Sequence, residues 1–294
     1  MNRARWRQLS RDFERSVTDT PANDARGEIR RALAAAAGRR RDRVLVDLGC
    51  GPATLIRRHA AWFARAVGVD FAEPVLDLAR RRCRAHAHAE FVCADAAAAG
   101  RLLPRAADVL ACMNVITSAS LRKREALGRA LAAVARPGAA LLLVLPSLES
   151  AERVHGEAYL RGFTAPWPSR QGIVRRAGDP QKFWTETEIR AALKRWGFRL
   201  TSLRKVRVPW SDEGLDVRDF RGLAGPWDWL AIARRQGNSI VKSMPPIREP
   251  ALRPATRAAA PRPGRGWRRA TRGRGRRSGP SPPRCRRPGS ARPA

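Results

Sequence analysis

The chain has 294 residues, 44% of them hydrophobic, enough for one large α/β domain with additions or for two small domains. Its longest apolar run, 139–146, falls far short of the roughly 20 residues that cross a bilayer. The Arg-rich start lacks the apolar centre of a signal peptide, so a cytoplasmic protein with no membrane span is expected.

The formal net charge of +33 raises a nucleic-acid reading, since basic surfaces attract phosphate backbones. Two features weaken it. Only five of the 59 basic residues are Lys, an Arg bias that GC-rich coding explains as well as function does. From Gln236 onward lie 16 of those 59 and only one of the 26 acids, so nearly half of the excess sits in the last fifth of the chain. Cys50, Cys83, Cys93, Cys112 and Cys285 form no CxxC pair, which argues against a metal site and a disulfide framework; no metal is expected, and the thiols should be reduced.

In chain order, residues 1–38 read as an N-terminal helical cap. Trp6, Leu9, Phe13 and Val17 recur at three- and four-residue spacing, and a second helix starting near Asn23 or Asp24 turns Ile29 and Leu33 inward and closes at Gly38. Residues 39–146 then alternate strand and helix. Strands are predicted at 44–47, 66–70, 90–93, 108–113 and 140–145, with helices at 53–66, 73–84 and 121–135 between them. Strand 44–47 is apolar except for its terminal Asp, as a strand covered on both faces should be. The alternation predicts an α/β fold with a doubly wound, mostly parallel sheet.

Residues 147–182, broken by Gly162, Pro166, Pro168, Gly172, Gly178 and Pro180, interrupt the rhythm as an inserted lid or substrate cap. Residues 183–235 resume it with a helix at 185–196, capped by Thr185 and ended at Gly197, and strands at 198–208 and 227–233 forming a hairpin. The tail, 236–294, is too rich in Arg, Pro and Gly to bury a core and should be disordered, either an inert extension or an Arg/Gly arm for RNA or acidic surfaces.

The strongest local signal is the run from Val44 to Ala53, a hydrophobic strand ending in Asp47 and entering a turn with Gly49, Cys50 and Gly51 before a helix. The glycines let the backbone approach a ligand without a Cβ in the way. The dinucleotide fingerprint fails here because its third glycine falls on Thr54, and an acid at the strand end repels a pyrophosphate while suiting an amino group. Two further acids follow at strand ends, Asp70 before Phe71 and Asp95 before Ala96, and Asn114 ends the fourth strand.

These motifs, in this order, resemble those of class I S-adenosylmethionine-dependent methyltransferases over about 40–150 and 183–235, with Ala53 where the family pattern has its third glycine. The resemblance implies a Rossmann-like core of seven strands with an antiparallel last strand, and S-adenosylmethionine as cofactor. It places Asp47 near the methionine amino group, with Gly49, Cys50 and Gly51 as the floor beneath. It gives Asp70 the ribose diol, lays Phe71 against adenine, gives Asp95 and the Ala96 amide the adenine edge, and sets Asn114 beside the sulfonium.

Methyl transfer from a sulfonium is an in-line displacement, so a catalytic side chain is optional. His155 and Tyr159, four residues apart on one helical face, are the candidate general-base pair. Trp167, Phe183 and Trp184 either line an acceptor pocket or pack the lid, while His59, His86 and His88 read as structural or solvated. Asn114 is followed by Val115 and Ile116 instead of a Pro-Pro-aromatic signature, and Cys112 lacks a neighbouring Pro, which disfavours DNA amino- and cytosine-methylating types. A small-molecule acceptor is expected, with an RNA or protein methyltransferase using the basic surface and tail as the alternative.

Overall fold

The structure, a computed structural model, describes residues 19–160, 171–176, 179–210, 217–220 and 222–237. The chain divides into two units, Met1–Met244 and Pro245–Ala294, and the described residues all belong to the first. The expectations for the first helix, for Trp167, for Cys285 and for the tail from Asn238 onward lie outside the described residues.

Seven strands form one sheet: β1 (Val44–Leu48), β2 (Arg65–Asp70), β3 (Ala89–Cys93), β4 (Ala107–Met113), β5 (Ala135–Pro146), β8 (Phe198–Arg207) and β9 (Trp227–Arg235). Their order is β3-β2-β1-β4-β5-β9-β8; β9 runs antiparallel to both of its neighbours, and the β1 to β5 pairings are all parallel. The chain steps outward from β1 through β2 to β3 and then returns to the other side of β1 with β4. That reversal opens a crevice at the carboxyl ends of β1 and β4, where open α/β sheets bind ligands.

Alternate side chains of the central strands feed two buried clusters, one on each face. Val46, Val67 and Leu110 face helices α5 (Leu121–Val134) and α7 (Glu186–Arg195). Leu45, Ala66 and Val109 face α1 (Glu28–Ala37) and α2 (Thr54–His59). Both faces are covered, which is why β1 reads as a continuous apolar run. Helices α3 (Glu73–Arg82) and α4 (Ala99–Leu102) complete the crossovers flanking β3.

Three boundaries differ from the sequence expectation. Helix α1 starts at Glu28 instead of at Asn23 or Asp24, because the Asp24 carboxylate accepts the backbone N–H groups of Glu28 at 2.7 Å and Arg30 at 3.1 Å while Gly27 turns left-handed at φ 67°. Ile29 and Leu33 are buried on it as expected. The helix predicted over 53–66 ends at His59, followed by a 3-10 turn at Ala60–Trp62 and by β2 from Arg65. Alanine suits helix and buried strand alike, and here the parallel pairing of Ala66 with Leu45 decides. Strand β5 extends from Ala135 through the Arg136-Pro137-Gly138 turn, with a register shift against β4.

Thr185 and Glu188 form a reciprocal capping box at the start of α7, as the sequence implied. The far end of α7 packs by close approach. An added Cβ on Gly128 of α5 would stand 2.1 Å from the Trp196 ring, whose Nε1 donates to Glu125 Oε2 at 2.9 Å. Gly128→Ala is expected to cost about 2 kcal/mol of overpacking, read as a lowered denaturant midpoint at unchanged slope. An unchanged midpoint would show that the indole can move aside freely.

Within 147–182 the described residues form α6 (Leu148–Leu160) and the antiparallel hairpin of β6 (Ile173–Arg176) and β7 (Asp179–Lys182). Lys182 fastens this insert to the core. Its buried ammonium donates to both Glu188 oxygens at 2.6 and 2.8 Å and to the Gln171 carbonyl at 2.8 Å, while its backbone N–H donates to Thr117 O at 2.7 Å. The insert is thereby seated against the segment that follows β4.

Candidate active site

The carboxyl ends of β1, β2, β3 and β4 surround a cavity of about 480 Å³, within the usual range for a small-molecule site. Asp47, Gly49, Cys50, Gly51, Asp70, Phe71, Asp95, Ala96 and Asn114, the nine residues singled out in the sequence for the cofactor, all stand in its wall.

The turn after β1 is held by Val69 O, which accepts the N–H of Gly49 at 2.7 Å and of Cys50 at 3.1 Å. Gly49 has φ +74°, and a Cβ placed on it would lie 2.3 Å from Val115 Cγ2. Ala53 is buried at φ 59°, a left-handed conformation that only glycine adopts without cost, so the family pattern's glycine at this position has a backbone reason.

The three acids have three environments. Asp47 is 3% exposed, and its Oδ1 has no hydrogen-bond partner. Burial first, then the charges of Asp70 and Asp19, push its carboxyl up to about 7. Asp70 accepts the N–H of Gly51 at 3.1 Å on Oδ2 and of Ala72 at 2.9 Å on Oδ1. Burial raises its carboxyl, and those backbone donors oppose the rise. Asp95 is exposed and accepts the Ala97 N–H at 2.9 Å, capping the short turn at Ala96–Ala98. Cys50 and Cys112 are buried, and desolvation raises both thiols, so neither is a ready nucleophile.

Asn114 sits at φ 56° and spends its amide N–H groups on Asp228 Oδ2 at 2.7 Å and Thr20 Oγ1 at 2.9 Å. It thereby ties the tip of β4 to β9 and to a strap of turns, residues 19–27, whose Asp19, Thr20 and Pro21 stand in the cavity wall. Asp19 in the strap accepts from Thr54 Oγ1 at 2.5 Å, and the Pro21 carbonyl accepts from Arg58 at 2.6 Å. The sequence reading missed Asp19, Thr20 and Thr54 as wall residues, along with Thr117, Ser118 and Lys123 beyond β4. The Asp-Thr-Pro cluster at 19–21 signals a turn, but Thr20 meets Asn114 across 94 positions, and no local pattern encodes that contact.

His155 lies half-buried on α6, and among the described residues it does not line the cavity; Tyr159 shares that helix, and its side chain lies outside the described part. Phe183 and Trp184 are buried in packing: Phe183 clusters with Leu148 and Val174, and Trp184 Nε1 donates to Ile116 O at 2.9 Å. His86 and His88 each bond a backbone carbonyl, those of Arg57 and Ala60, at 3.0 Å.

Residues 45–138 match the family model of a methyltransferase domain. No curated protein matches the sequence. Similar solved structures include 1,6-didemethyltoxoflavin-N1-methyltransferase from Burkholderia thailandensis, with 1,6-didemethyltoxoflavin and S-adenosylhomocysteine bound. It is 16% identical at a TM-score of 0.54, covering 80% of this chain and 87% of that one. An S-adenosylmethionine-dependent methyltransferase from Mesorhizobium loti is 19% identical at a TM-score of 0.51, covering 70% of this chain and 96% of that one. Over residues 45–138 the chain carries a methyltransferase domain, and what it shares with these structures is the fold.

Proposed function

We propose that the cavity holds S-adenosylmethionine across the tips of β1 to β4 and that the enzyme methylates a small molecule. The observation that carries the cofactor placement is the unpartnered, buried Asp47 oxygen beside a glycine turn that a single Cβ would fill. A lone buried carboxylate is costly, and a cationic amino group offsets that cost. Asp47 takes the methionine ammonium in this reading, and Gly49, Cys50 and Gly51 pass beneath. Asp70 keeps lone pairs for the two ribose hydroxyls beyond its bonds to Gly51 and Ala72. Phe71, Asp95 and the Ala96 amide border adenine, and Asn114 borders the reacting end.

When bound, the cofactor supplies a methyl group on a sulfonium, already activated for displacement. The chain's part is to align the two reactants and exclude water, which by itself accounts for large accelerations. The cavity, about 480 Å³ and walled in part by Asp19, Thr20 and Pro21 of the strap, is of a size that supports a small acceptor. The Burkholderia enzyme, holding 1,6-didemethyltoxoflavin together with S-adenosylhomocysteine, supports the same reading. The nucleic-acid alternative stands on the Arg-rich tail, outside the described residues.

Calorimetry with S-adenosylhomocysteine tests the placement. Wild type should bind at one site, and Asp70→Ala should weaken binding by about 2 to 3 kcal/mol, since the variant loses a charged acceptor and frees the Gly51 amide. Unchanged affinity in that variant would remove the ribose from Asp70. Incubating metabolite extracts with labelled cofactor then identifies the acceptor, and label found only in RNA or protein would overturn the small-molecule reading.

A further inference from the structure

A second recess, of about 310 Å³, is walled by the strap, with Pro21 common to its wall and to that of the main cavity. Arg26, Arg30 and Arg58 line it together with Asp24 and His59, at the amino end of α1. The one carboxylate is committed, since both Asp24 oxygens accept backbone N–H groups of α1. Arg58 donates to the Pro21 carbonyl, and among the described residues Arg26 and Arg30 have no carboxylate partner. His59 is 9% exposed, packs at 4.4 Å against the Trp62 ring, and has a buried Nδ1 without a partner.

Three arginines thus line a hollow whose only acid is already spent as a helix cap. The groups charged toward His59 are Arg58 and Arg30, opposed by Asp24; burial first and those two cations next depress its imidazole to about 4, so it adds no charge at neutral pH. Like charges around a concave surface at the positive end of a ten-residue helix form an anion receptor.

We propose that this recess binds a tetrahedral oxyanion of the phosphate or sulfate type, held by Arg26, Arg30 and Arg58. The site is independent of the cofactor placement, and its test uses no cofactor.

The full chain is titrated by NMR of its four histidines, His59 being assigned by its loss in His59→Gln. Sulfate serves as the probe because it stays a dianion across the titration. Sulfate in the recess places negative charge by the imidazole and should raise the His59 midpoint from about 4 by roughly one pH unit relative to chloride at equal ionic strength. Arg30→Gln combined with Arg58→Gln, both at exposed side chains, should weaken that response at least tenfold, while the His86 and His88 signals report an intact fold. Arg199→Gln combined with Arg234→Gln, remote from the recess, should leave the response in place. Equal shifts in sulfate and chloride, or an undiminished response in the Arg30 and Arg58 double variant, would overturn the proposal.

Discussion

Gly49→Ala should lower S-adenosylhomocysteine affinity at least a hundredfold and destabilise the protein. Two costs combine at this residue. The backbone is left-handed at φ +74°, where an L side chain loses about 1 to 2 kcal/mol. The new methyl would also stand 2.3 Å from Val115 Cγ2 and 3.3 Å from Val115 Cβ, so a stiff β-branched side chain has to rotate or the turn has to lift. Lifting is resisted because Val69 O holds the amides of both Gly49 and Cys50. Either response moves the floor of the cavity.

A Val115→Ala background separates the terms. It removes the severe contact with Cγ2 and keeps the backbone strain, so Gly49→Ala should lose less stability there than in wild type, and the difference is the coupling energy of the pair. Gly49→Ala binding within threefold of wild type would mean that the turn is no part of the cofactor floor.

The parts of this site legible in the sequence are those that local physics encodes. An apolar strand ending in an acid and followed by glycines places Asp47, Asp70 and Asp95 at one sheet edge once the strands are parallel, and parallel pairing follows from the alternation of strand and helix. The capping box at Thr185 and Glu188 is likewise a local device. What stayed hidden depends on long separations or on residues without preference. The strap reaches Asn114 across 94 positions, and Asn114 reaches Asp228 across 114. The end of α2 falls in an alanine-rich stretch where tertiary pairing alone chooses between helix and strand.

Ala53 shows how a departure from a family pattern can leave the geometry intact. The residue keeps the glycine-like φ of 59° and is buried, so the chain retains the turn at the expense of backbone strain. Strain held next to a cavity fits a site where binding, rather than stability, sets the sequence. The unpartnered Asp47 is the same trade in electrostatic form.

Asp47→Asn is therefore expected to stabilise the unliganded protein above neutral pH while impairing cofactor binding. The folded carboxyl titrates at about 7 and the unfolded one near 3.8, so between these values the folded state holds a proton that the unfolded state has released. Stability then falls as pH rises through that window, because folding favours the protonated form. Well below pH 3.8 both states are neutral at this position and the variant should match wild type. By pH 8 wild type carries the full penalty, up to about 4 kcal/mol for a shift of some three units, and the asparagine carries none. The difference between the two denaturation curves, measured from pH 4 to 8, isolates this group because the other titrations cancel. Binding should run the opposite way: pairing with an ammonium requires the ionised carboxylate, so wild-type affinity for S-adenosylhomocysteine rises up to tenfold per unit as pH climbs toward 7, and Asp47→Asn loses that slope. A stability difference that stays flat over the window would mean that Asp47 is already compensated in the unliganded protein, and the case for a cation beside it would fall.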